Sequence, residues 1–278
     1  MDKAAVWRVY VMEYARSKDQ PWVDLISGMY REGTMDLPFS FILAKRDDRN
    51  VLIDTGFMQD HNSSGFSRKF GIPSWISPVR MLKEMNLAPE AISDIVLTHC
   101  HFDHMGSIAE FPGAHIHIQK SELLSWYEAF ALPKRFSHLT AIVDPDNMRT
   151  ALDASIGHRV TLIDGDKDNV LPGIHVRLGS GHTIGQQFVI IETKAGRRVV
   201  SGDCVYSRRQ FTGHNNDGVY APLNNAVGSV WEQLKTIDKM NDELGGDLSR
   251  LIVLHDIERW KGHEVVKEVD GFRIVEIG

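Results

Sequence analysis

Short runs of hydrophobic residues alternate along the chain with longer stretches in which apolar residues recur at helical spacing. The short runs predict β-strands at 6–11, 39–42, 51–53, 94–98, 115–118, 160–163, 174–178, 187–192, 198–201, 251–254 and 272–277. The helical spacing predicts helices at 78–85, 121–130 and 230–240. Strands and helices thus occur in two successive series, which two sheets packed face to face with helices outside would satisfy. No linker rich in Pro, Gly or Ser separates the series, so we expect one domain over residues 1–278.

Two segments lack a regular pattern. Residues 58–77 are polar, contain glycine and carry aromatic side chains, which is typical of a loop or short helix that covers a pocket or forms a dimer contact. Residues 131–148 are irregular, and we interpret them as a lid. Between these segments, the helix at 121–130 is expected to begin at Ser121 as its N-cap, with Glu122 in its first turn.

The composition is that of an ordinary globular protein, with 42% hydrophobic and 24% charged residues in a chain of 278. The net charge of −6 argues against a nucleic-acid partner, because phosphate binding needs a basic surface. The chain has no apolar run of about 18 residues, and its N-terminus lacks the apolar region of a signal peptide. We therefore predict a cytoplasmic protein that does not enter a membrane, with Cys100 and Cys204 as buried thiols.

Candidate chemistry concentrates in residues 99–104, directly after the predicted strand at 94–98. This run contains three imidazoles and one carboxylate, which belong to His99, His101, Asp103 and His104. Such groups suit zinc, iron, cobalt or manganese. Four of them on so short a loop are hard to place around one tetrahedral ion. They favour two metal ions side by side, a site that can make a hydroxide and polarise a carbonyl.

Three further candidate ligands stand at the ends of later predicted strands. His182 lies in a glycine-flanked loop after the strand at 174–178, Asp203 follows the strand at 198–201, and His255 follows the run at 251–254. Side chains at strand ends can converge on a common edge of two packed sheets. The sequence therefore predicts a metal site at one edge of the sandwich.

In this order the motifs resemble those of the metallo-β-lactamase superfamily, from Asp54-Thr55-Gly56 through the His-x-His-x-Asp-His run to His255. The resemblance implies an α+β fold, a four-layer αββα sandwich with the metal site at one edge. It also implies a dinuclear centre, in which one ion is held by His99, His101 and His182, the other by Asp103, His104 and His255, and both by Asp203. Zinc is the first expectation for the two divalent ions, with iron, cobalt and manganese as alternatives. Asp54 is expected to support the ligand loop.

A finer resemblance is to the quorum-quenching N-acyl homoserine lactonases of this superfamily. That family has a tyrosine three residues after the bridging aspartate, and Tyr206 stands there in this chain. The resemblance implies a hydrolase that opens a lactone ring by attack of a hydroxide held between the metals. Tyr206 would stabilise the oxyanion, and Asp103 would carry a proton to the leaving oxygen. Ser180 and Gln186 replace a proline and a histidine of many relatives, and neither change removes a ligand.

Other functions are compatible with the same ligands. One is a different acyl hydrolase, such as a thioesterase of the glyoxalase II kind, or an esterase or amidase acting on a catabolic intermediate. The lack of an obvious basic pocket for glutathione or coenzyme A favours the lactonase over the thioesterase. A non-catalytic metal-binding module is a further alternative. The expected partner is a small-molecule lactone or ester, and the protein is expected to act as a monomer or homodimer.

The remaining histidines are predicted to have no role at the metal site. His115 and His117 alternate along one strand and are expected on a half-exposed strand face. His61, His138 and His214 lie in predicted loops, where a surface position is the expectation.

Overall fold

The computed structural model describes residues 6–59 and 63–278, so the predicted surface position of His61 lies outside the described residues. In chain order the strands are β1 (Arg8–Pro21), β2 (Thr34–Arg46), β3 (Arg49–Ile53), β4 (Ser74–Trp75), β5 (Asp94–Val96), β6 (His115–Gln119), β7 (Val160–Ile163), β8 (Lys167–Leu171), β9 (Ile174–Leu178), β10 (Gln187–Thr193), β11 (Gly196–Val200), β12 (Leu251–Ile252), β13 (Glu264–Val269) and β14 (Phe272–Glu276). The α-helices are α1 (Trp22–Leu25), α2 (Ser63–Lys69), α3 (Pro78–Glu84), α4 (Phe102–Met105), α5 (Lys120–Ala131), α6 (Pro145–Ile156), α7 (Arg209–Thr212) and α8 (Val230–Leu244).

Hydrogen bonding divides the described strands into two sheets. The first sheet has nine strands in the order β13-β14-β1-β2-β3-β5-β6-β7, with β4 paired to β1. The second sheet has five strands in the order β12-β11-β10-β9-β8. In the first sheet, β3, β5, β6 and β7 are parallel, whereas β1 and β2 form a long antiparallel pair. In the second sheet, β11 and β12 are parallel.

The alternation of side chains along β1 shows how the layers are arranged. Val9 and Val11 pack in the core between the two sheets, whereas Tyr10, Met12 and Tyr14 pack on the opposite face. Residues of α3, α5 and α6 cover that opposite face, and α8 covers the outer face of the second sheet. The layers are therefore helix, sheet, sheet and helix. The predicted four-layer αββα sandwich is confirmed.

Strand direction brings the loops that carry the candidate ligands to one edge of the sandwich. In the first sheet, the parallel strands β3 and β5 end there, just before Asp54 and Thr98. In the second sheet, β9, β11 and β12 run in the same direction and precede the loops at 179–182, 201–203 and 253–255. The backbone N–H of Gln187 donates to the Thr98 carbonyl at 3.0 Å and joins the sheets at this edge. Candidate ligands far apart in sequence thus become neighbours.

Some elements differ from the sequence-based predictions. The segment at 131–148, predicted to be an irregular lid, includes the start of α6, whose exposed polar residues obscure its helical spacing. The strands β8 and β13 were not predicted, because most of their residues are exposed and no hydrophobic run marks them. The N-cap of α5 is Gln119, so the prediction of Ser121 at that position was wrong.

The two histidines of β6 have different environments. His115 is half-exposed, as predicted, and its Nε2 lies 2.8 Å from Thr161 Oγ1. The prediction of a half-exposed His117 was wrong, because its side chain is buried with Nε2 3.0 Å from Asp94 Oδ1. This polar partner makes the burial of an imidazole tolerable. The structure agrees with the other predictions for isolated residues, which are the buried thiols Cys100 and Cys204 and the exposed His138 and His214.

The helix α8 is the longest in the described chain, with 15 residues. No helix among residues 6–59 and 63–278 is both long and apolar enough to cross a membrane. Instead, α8 packs Ile237, Met240 and Leu244 against the second sheet. It begins with a capping box, in which Ser229 Oγ accepts from the Glu232 N–H at 3.2 Å and Glu232 Oε2 accepts from the Ser229 N–H at 3.4 Å.

Replacing Ser229 by alanine removes the side-chain acceptor of this capping box. We expect Ser229→Ala to lower the free energy of unfolding by about 1 kcal/mol, because one N–H of the first turn loses its partner. Ser229→Asn should retain most of the stability, since asparagine also caps helices well. Urea denaturation of the three proteins measures the difference. Equal midpoints for Ser229→Ala and the unchanged protein would show that the cap contributes nothing.

Candidate metal centre

The candidate ligands converge at the shared edge as two groups of buried side chains, the first of which consists of His99, His101, His182 and Asp203. His99 Nε2 and His182 Nε2 each lie 3.0 Å from His101 Nδ1. His182 Nε2 also lies 3.3 Å from Asp203 Oδ2. Three imidazoles and one carboxylate form a donor set that suits zinc and other divalent ions.

The second group consists of Asp103, His104, Asp203 and His255. His104 Nε2 and His255 Nε2 each lie 3.1 Å from Asp203 Oδ1, and they lie 3.4 and 3.5 Å from Asp103 Oδ2. Asp203 belongs to both groups, with Oδ2 toward the first and Oδ1 toward the second. The structure thus brings all seven predicted ligands together, and it places the predicted bridge between the two groups.

The arrangement of these donors fits metal ions better than it fits hydrogen bonding. His99 and His182 both approach the single Nδ1 of His101, although one ring nitrogen offers only one proton or one lone pair. Asp203 Oδ1 is buried and has no hydrogen-bond partner of good geometry among the described residues. An unsatisfied buried carboxylate oxygen is costly unless a ligand occupies the space it faces. The residues therefore fit divalent metal ions.

The two groups differ in their electrostatics. Burial is the main reason why the pKa values of the three first-group imidazoles lie below the ordinary histidine value, so these imidazoles are neutral near pH 7. Neutral imidazole is the form that binds a metal. Burial acts in the same direction on the two second-group imidazoles, but Asp203 and Asp103 outweigh it and raise their pKa values. The second group therefore has two carboxylates beside two imidazoles, whereas the first group has one carboxylate beside three.

Asp54 orients the ligand loop from the end of β3. Its φ of 61° lies in the left-handed region, which aspartate tolerates better than most residues. Its Oδ1 accepts from the Thr98 N–H at 2.7 Å, and its Oδ2 accepts from the Thr98 hydroxyl at 2.8 Å. The same Oδ2 lies 2.8 Å from His104 Nδ1, which directs His104 Nε2 toward the second group. The carboxylate thus lies beside the ligand loop, where the resemblance placed it.

Tyr206 lies next to the bridging carboxylate. Its hydroxyl donates to Asp203 Oδ2 at 2.8 Å and accepts from Asn225 Nδ2 at 3.1 Å, while its ring packs 5.2 Å from the His255 ring. Burial, followed by the charge of Asp203, raises the pKa of Tyr206 well above the ordinary tyrosine value. The phenol therefore keeps its proton and can donate a hydrogen bond to a negatively charged oxygen.

A cavity of about 510 Å³ opens onto both ligand groups, which is a size typical of small-molecule sites. Candidate ligands of both groups and Tyr206 are among the residues that line it. Its apolar lining consists of Leu25, Leu37, Phe39, Phe70, Phe102 and Ile142. Phe70 of the segment 58–77 lines this pocket, which agrees with one of the two roles predicted for that segment. Ile142 brings the predicted lid segment to the same cavity.

Two polar residues of the site were not predicted from the sequence. Glu122, expected only as a first-turn residue, is fully buried and accepts hydrogen bonds from two ligand-bearing loops. A sequence signal existed, since Glu122 lies four residues before Trp126 and thus on the buried face of α5. Asn225 lines the cavity and contacts Tyr206 from a loop 19 residues away, and no local pattern marks it.

Comparison with known families agrees with this fold and site. Residues 34–244 match the model of the metallo-beta-lactamase superfamily, and this range contains six of the seven candidate ligands. The chain belongs to the metallo-beta-lactamase superfamily. With this fold and this donor set, the protein is a metal-dependent hydrolase, as predicted.

Individual relatives and solved structures are similar to this chain over most of its length. An N-acyl homoserine lactonase from a Bacillus species is 25% identical over 244 residues, which cover 84% of this chain and 87% of the relative. The crystal structure of a quorum-quenching N-acyl homoserine lactone lactonase has a TM-score of 0.71 at 21% identity, covering 96% of this chain and 98% of the other. AidC, a dizinc quorum-quenching lactonase, has a TM-score of 0.69 at 17% identity, covering 98% and 95%. Both structural similarities show a shared fold.

Proposed function

We propose that this protein is a dinuclear metal-dependent lactonase that opens the ring of an N-acyl homoserine lactone or a related small lactone. The observation that carries the proposal is the Tyr206 hydroxyl, which lies 2.8 Å from Asp203 Oδ2, on a residue that lines the cavity together with ligands of both groups. The similarity to an N-acyl homoserine lactonase over 84% of the chain supports it.

In this proposal two divalent ions occupy the centre, one held by the first group, one by the second, and both by Asp203. Zinc is the first expectation, because AidC shares this fold and is described as a dizinc enzyme. Iron, cobalt and manganese accept the same donors. When bound, such ions lower the pKa of a water toward about 7 and polarise a substrate carbonyl.

Tyr206 supplies a hydrogen bond to the oxygen that becomes negatively charged when the lactone carbonyl is attacked. Its hydroxyl is protonated, and Asn225 Nδ2 donates to its oxygen at 3.1 Å. With its oxygen accepting from Asn225, the phenol donates its single proton to Asp203 Oδ2. To stabilise the oxyanion, the phenol turns this proton from Asp203 to the substrate oxygen, while Asn225 continues to donate to the phenol oxygen.

Asp103 moves the proton that ring opening requires. Water adds to the carbonyl carbon, the bond between that carbon and the ring oxygen breaks, and one proton must reach the departing oxygen. Asp103 lines the cavity, and its side chain is 10% exposed, so its carboxylate faces the space in which the proposed water and ring oxygen would lie. A carboxylate at this position takes the proton from the water and passes it to the leaving oxygen.

The aromatic lining of the cavity suits the acyl arm of such a substrate. The Phe102 ring stacks against the rings of Phe66 and Phe70, with centroids 4.7 and 5.7 Å apart. Of these rings, those of Phe70 and Phe102 line the cavity, and they form an apolar surface next to the ligand run, since Phe102 lies between His101 and Asp103 in sequence. An apolar chain attached to a lactone at the centre would pack on this surface.

Hydrolysis of a small substrate panel by purified, metal-quantified protein tests the proposal. The panel contains acyl homoserine lactones, simple and aromatic-fused lactones, an aryl ester and a glutathione thioester. We expect the lactones to be hydrolysed fastest, with about two ions per chain, and we expect chelation to abolish turnover and added zinc to restore it. Turnover of the ester or thioester alone would support a metal-dependent hydrolase but reject the lactonase function. Bound metal without any turnover would indicate the non-catalytic module.

The thioesterase is the second candidate, because the cavity contains two cationic side chains. Arg68 and Lys69 are exposed and line the cavity, although the sequence predicted no obvious basic pocket. They could attract the anionic carrier of a thioester, and the exposed Asp24 of the same lining partly offsets their charge. Preference for the glutathione thioester over every lactone in the panel would favour this candidate.

A further inference from the structure

We propose that Glu122 is a positioning residue for one half of the centre, because its carboxylate joins the two loops that carry His99, His101 and His182. The proposal rests on the metal centre of the proposed function and not on its substrate. Glu122 belongs to α5, outside every ligand motif, and its side chain is fully buried.

Four hydrogen bonds connect the Glu122 carboxylate to its surroundings. Oε1 accepts from the Cys100 N–H at 2.9 Å and from the Trp126 indole N–H at 2.7 Å. Oε2 accepts from the Thr183 hydroxyl at 2.7 Å and from the Gly185 N–H at 3.0 Å. Cys100 lies between two first-group ligands, and Thr183 directly follows the third. One oxygen thus holds the first loop, and the other holds the second.

These contacts require a carboxylate rather than any polar group. All four partners donate, so each oxygen of Glu122 must accept two hydrogen bonds. An amide of the same shape has one oxygen and one NH₂ group, and in either orientation that NH₂ group would face at least one N–H group that cannot accept. Among residues 6–59 and 63–278, Glu122 forms no salt bridge within 4.0 Å, and the four donors only partly offset the cost of burying its charge, because burial still raises the pKa of Glu122.

The second loop packs directly against the start of α5. A Cβ atom at Gly185 would overlap the backbone nitrogen of Glu122, so this close approach requires glycine. The same helix also contacts a ligand ring, since the Trp126 and His101 rings lie 5.7 Å apart. The helix α5 therefore supports the first group through backbone and side-chain contacts.

The second group is supported differently. The Asp54 carboxylate lies 2.8 Å from His104 Nδ1, and the Pro38 carbonyl oxygen lies 2.7 Å from His255 Nδ1. Neither Asp54 nor Pro38 is among the hydrogen-bond partners of Glu122. Asp54 also acts on the first group, because the Thr98 hydroxyl that it holds lies 3.0 Å from His99 Nδ1. Glu122 is therefore the more selective support, and its loss should weaken mainly the first group.

Zinc affinity in two single-site backgrounds tests this selectivity. His255→Ala leaves only the first group complete, and His182→Ala leaves only the second complete. Adding Glu122→Gln should weaken zinc binding about 10- to 100-fold in the His255→Ala background. It should change the affinity by less than about threefold in the His182→Ala background. Competition with a chelator of known zinc affinity measures both values, and Glu128→Gln, an exposed site on the same helix, is the matched control.

Equal weakening in both backgrounds, or no weakening in the His255→Ala background, would overturn the proposal. If circular dichroism shows that Glu122→Gln does not fold, Thr183→Val replaces it, because this change removes one of the four hydrogen bonds and preserves the side-chain shape. It should weaken the first site severalfold, and an unchanged affinity would overturn the proposal. The titration needs no substrate. If the protein turned over no lactone, the zinc affinities would still test the role of Glu122. If Glu122→Gln did not weaken zinc binding, the proposed lactonase function would still stand.

Discussion

The Asp203→Asn variant is expected to lose tight binding of the two proposed metal ions and nearly all hydrolytic activity. Asp203 is the one donor shared by the two groups, and its oxygens lie within 3.3 Å of three imidazole nitrogens. Although burial acts in the opposite direction, His104 and His255 hold the pKa of Asp203 well below the ordinary aspartate value. Asparagine keeps the shape but removes the negative charge on which both halves of the centre depend.

The expected size of the Asp203→Asn effect follows from the burial of its partners. Removing one member of a buried charged network costs about 3–5 kcal/mol. An energy of this size corresponds to a loss of about a hundred- to a few thousand-fold in metal affinity or in the rate of hydrolysis. Metal content per chain and the rate of lactone hydrolysis measure the loss. Asp164→Asn, at a side chain that is 86% exposed, is the matched control and should change neither quantity. Retained metal and retained rate in Asp203→Asn would reject the bridging role.

The Tyr206→Phe variant is expected to keep its metal and lose turnover. The substitution removes only the hydroxyl that donates to Asp203 and leaves the ring against His255. Removing one donor to a developing oxyanion lowers kcat by about 10²- to 10³-fold, so we expect a loss of that size in kcat with a smaller change in KM. Since burial and Asp203 raise the pKa of Tyr206, its titration should not appear in the pH profile between about pH 6 and 9.

Steady-state kinetics together with metal analysis distinguish the possible roles of this phenol. Tyr220→Phe makes the same chemical change at a tyrosine whose hydroxyl donates to Asp238 at 3.2 Å, outside the cavity lining, and it should leave kcat unchanged. A Tyr206→Phe rate within about twofold of the unchanged protein would reject the catalytic role. Loss of metal in parallel with activity would instead make Tyr206 a support for Asp203.

Local sequence predicted much of the fold, because buried strands carry hydrophobic runs. Strands such as β2, β3, β5, β9 and β10 lie inside the sandwich and were found from their apolar residues. The same reasoning failed where an element is mostly exposed, as in β8 and β13, or where polar residues interrupt the buried face, as in α6. An element can also be longer than its predicted range when pairing with a neighbouring strand continues. The strand predicted at 6–11 corresponds to β1, which extends to Pro21 because Pro21 pairs with Thr34 of β2.

The sequence by itself determined the candidate ligands and their order, because strand ends and ligand-type residues are both local features of the chain. His99, Asp203 and His255 each stand near the end of a recognisable strand, and the direction of those strands brings them to one edge. Tyr206 was predicted from the resemblance to the lactonases, which have a tyrosine three residues after the bridging aspartate. The donor set and the class of chemistry therefore depend on patterns that one sequence contains.

Only the tertiary structure decided which long-range partners hold those groups in place. Glu122 reaches Thr183 across 61 residues, His255 reaches the Pro38 carbonyl across 217, and Asn225 contacts Tyr206 from another loop. The division of the Asp203 oxygens between the two groups is likewise a result of folding. Such contacts depend on how sheets and helices pack, and hydrophobic periodicity records only which face of an element is buried, not which distant residue it meets.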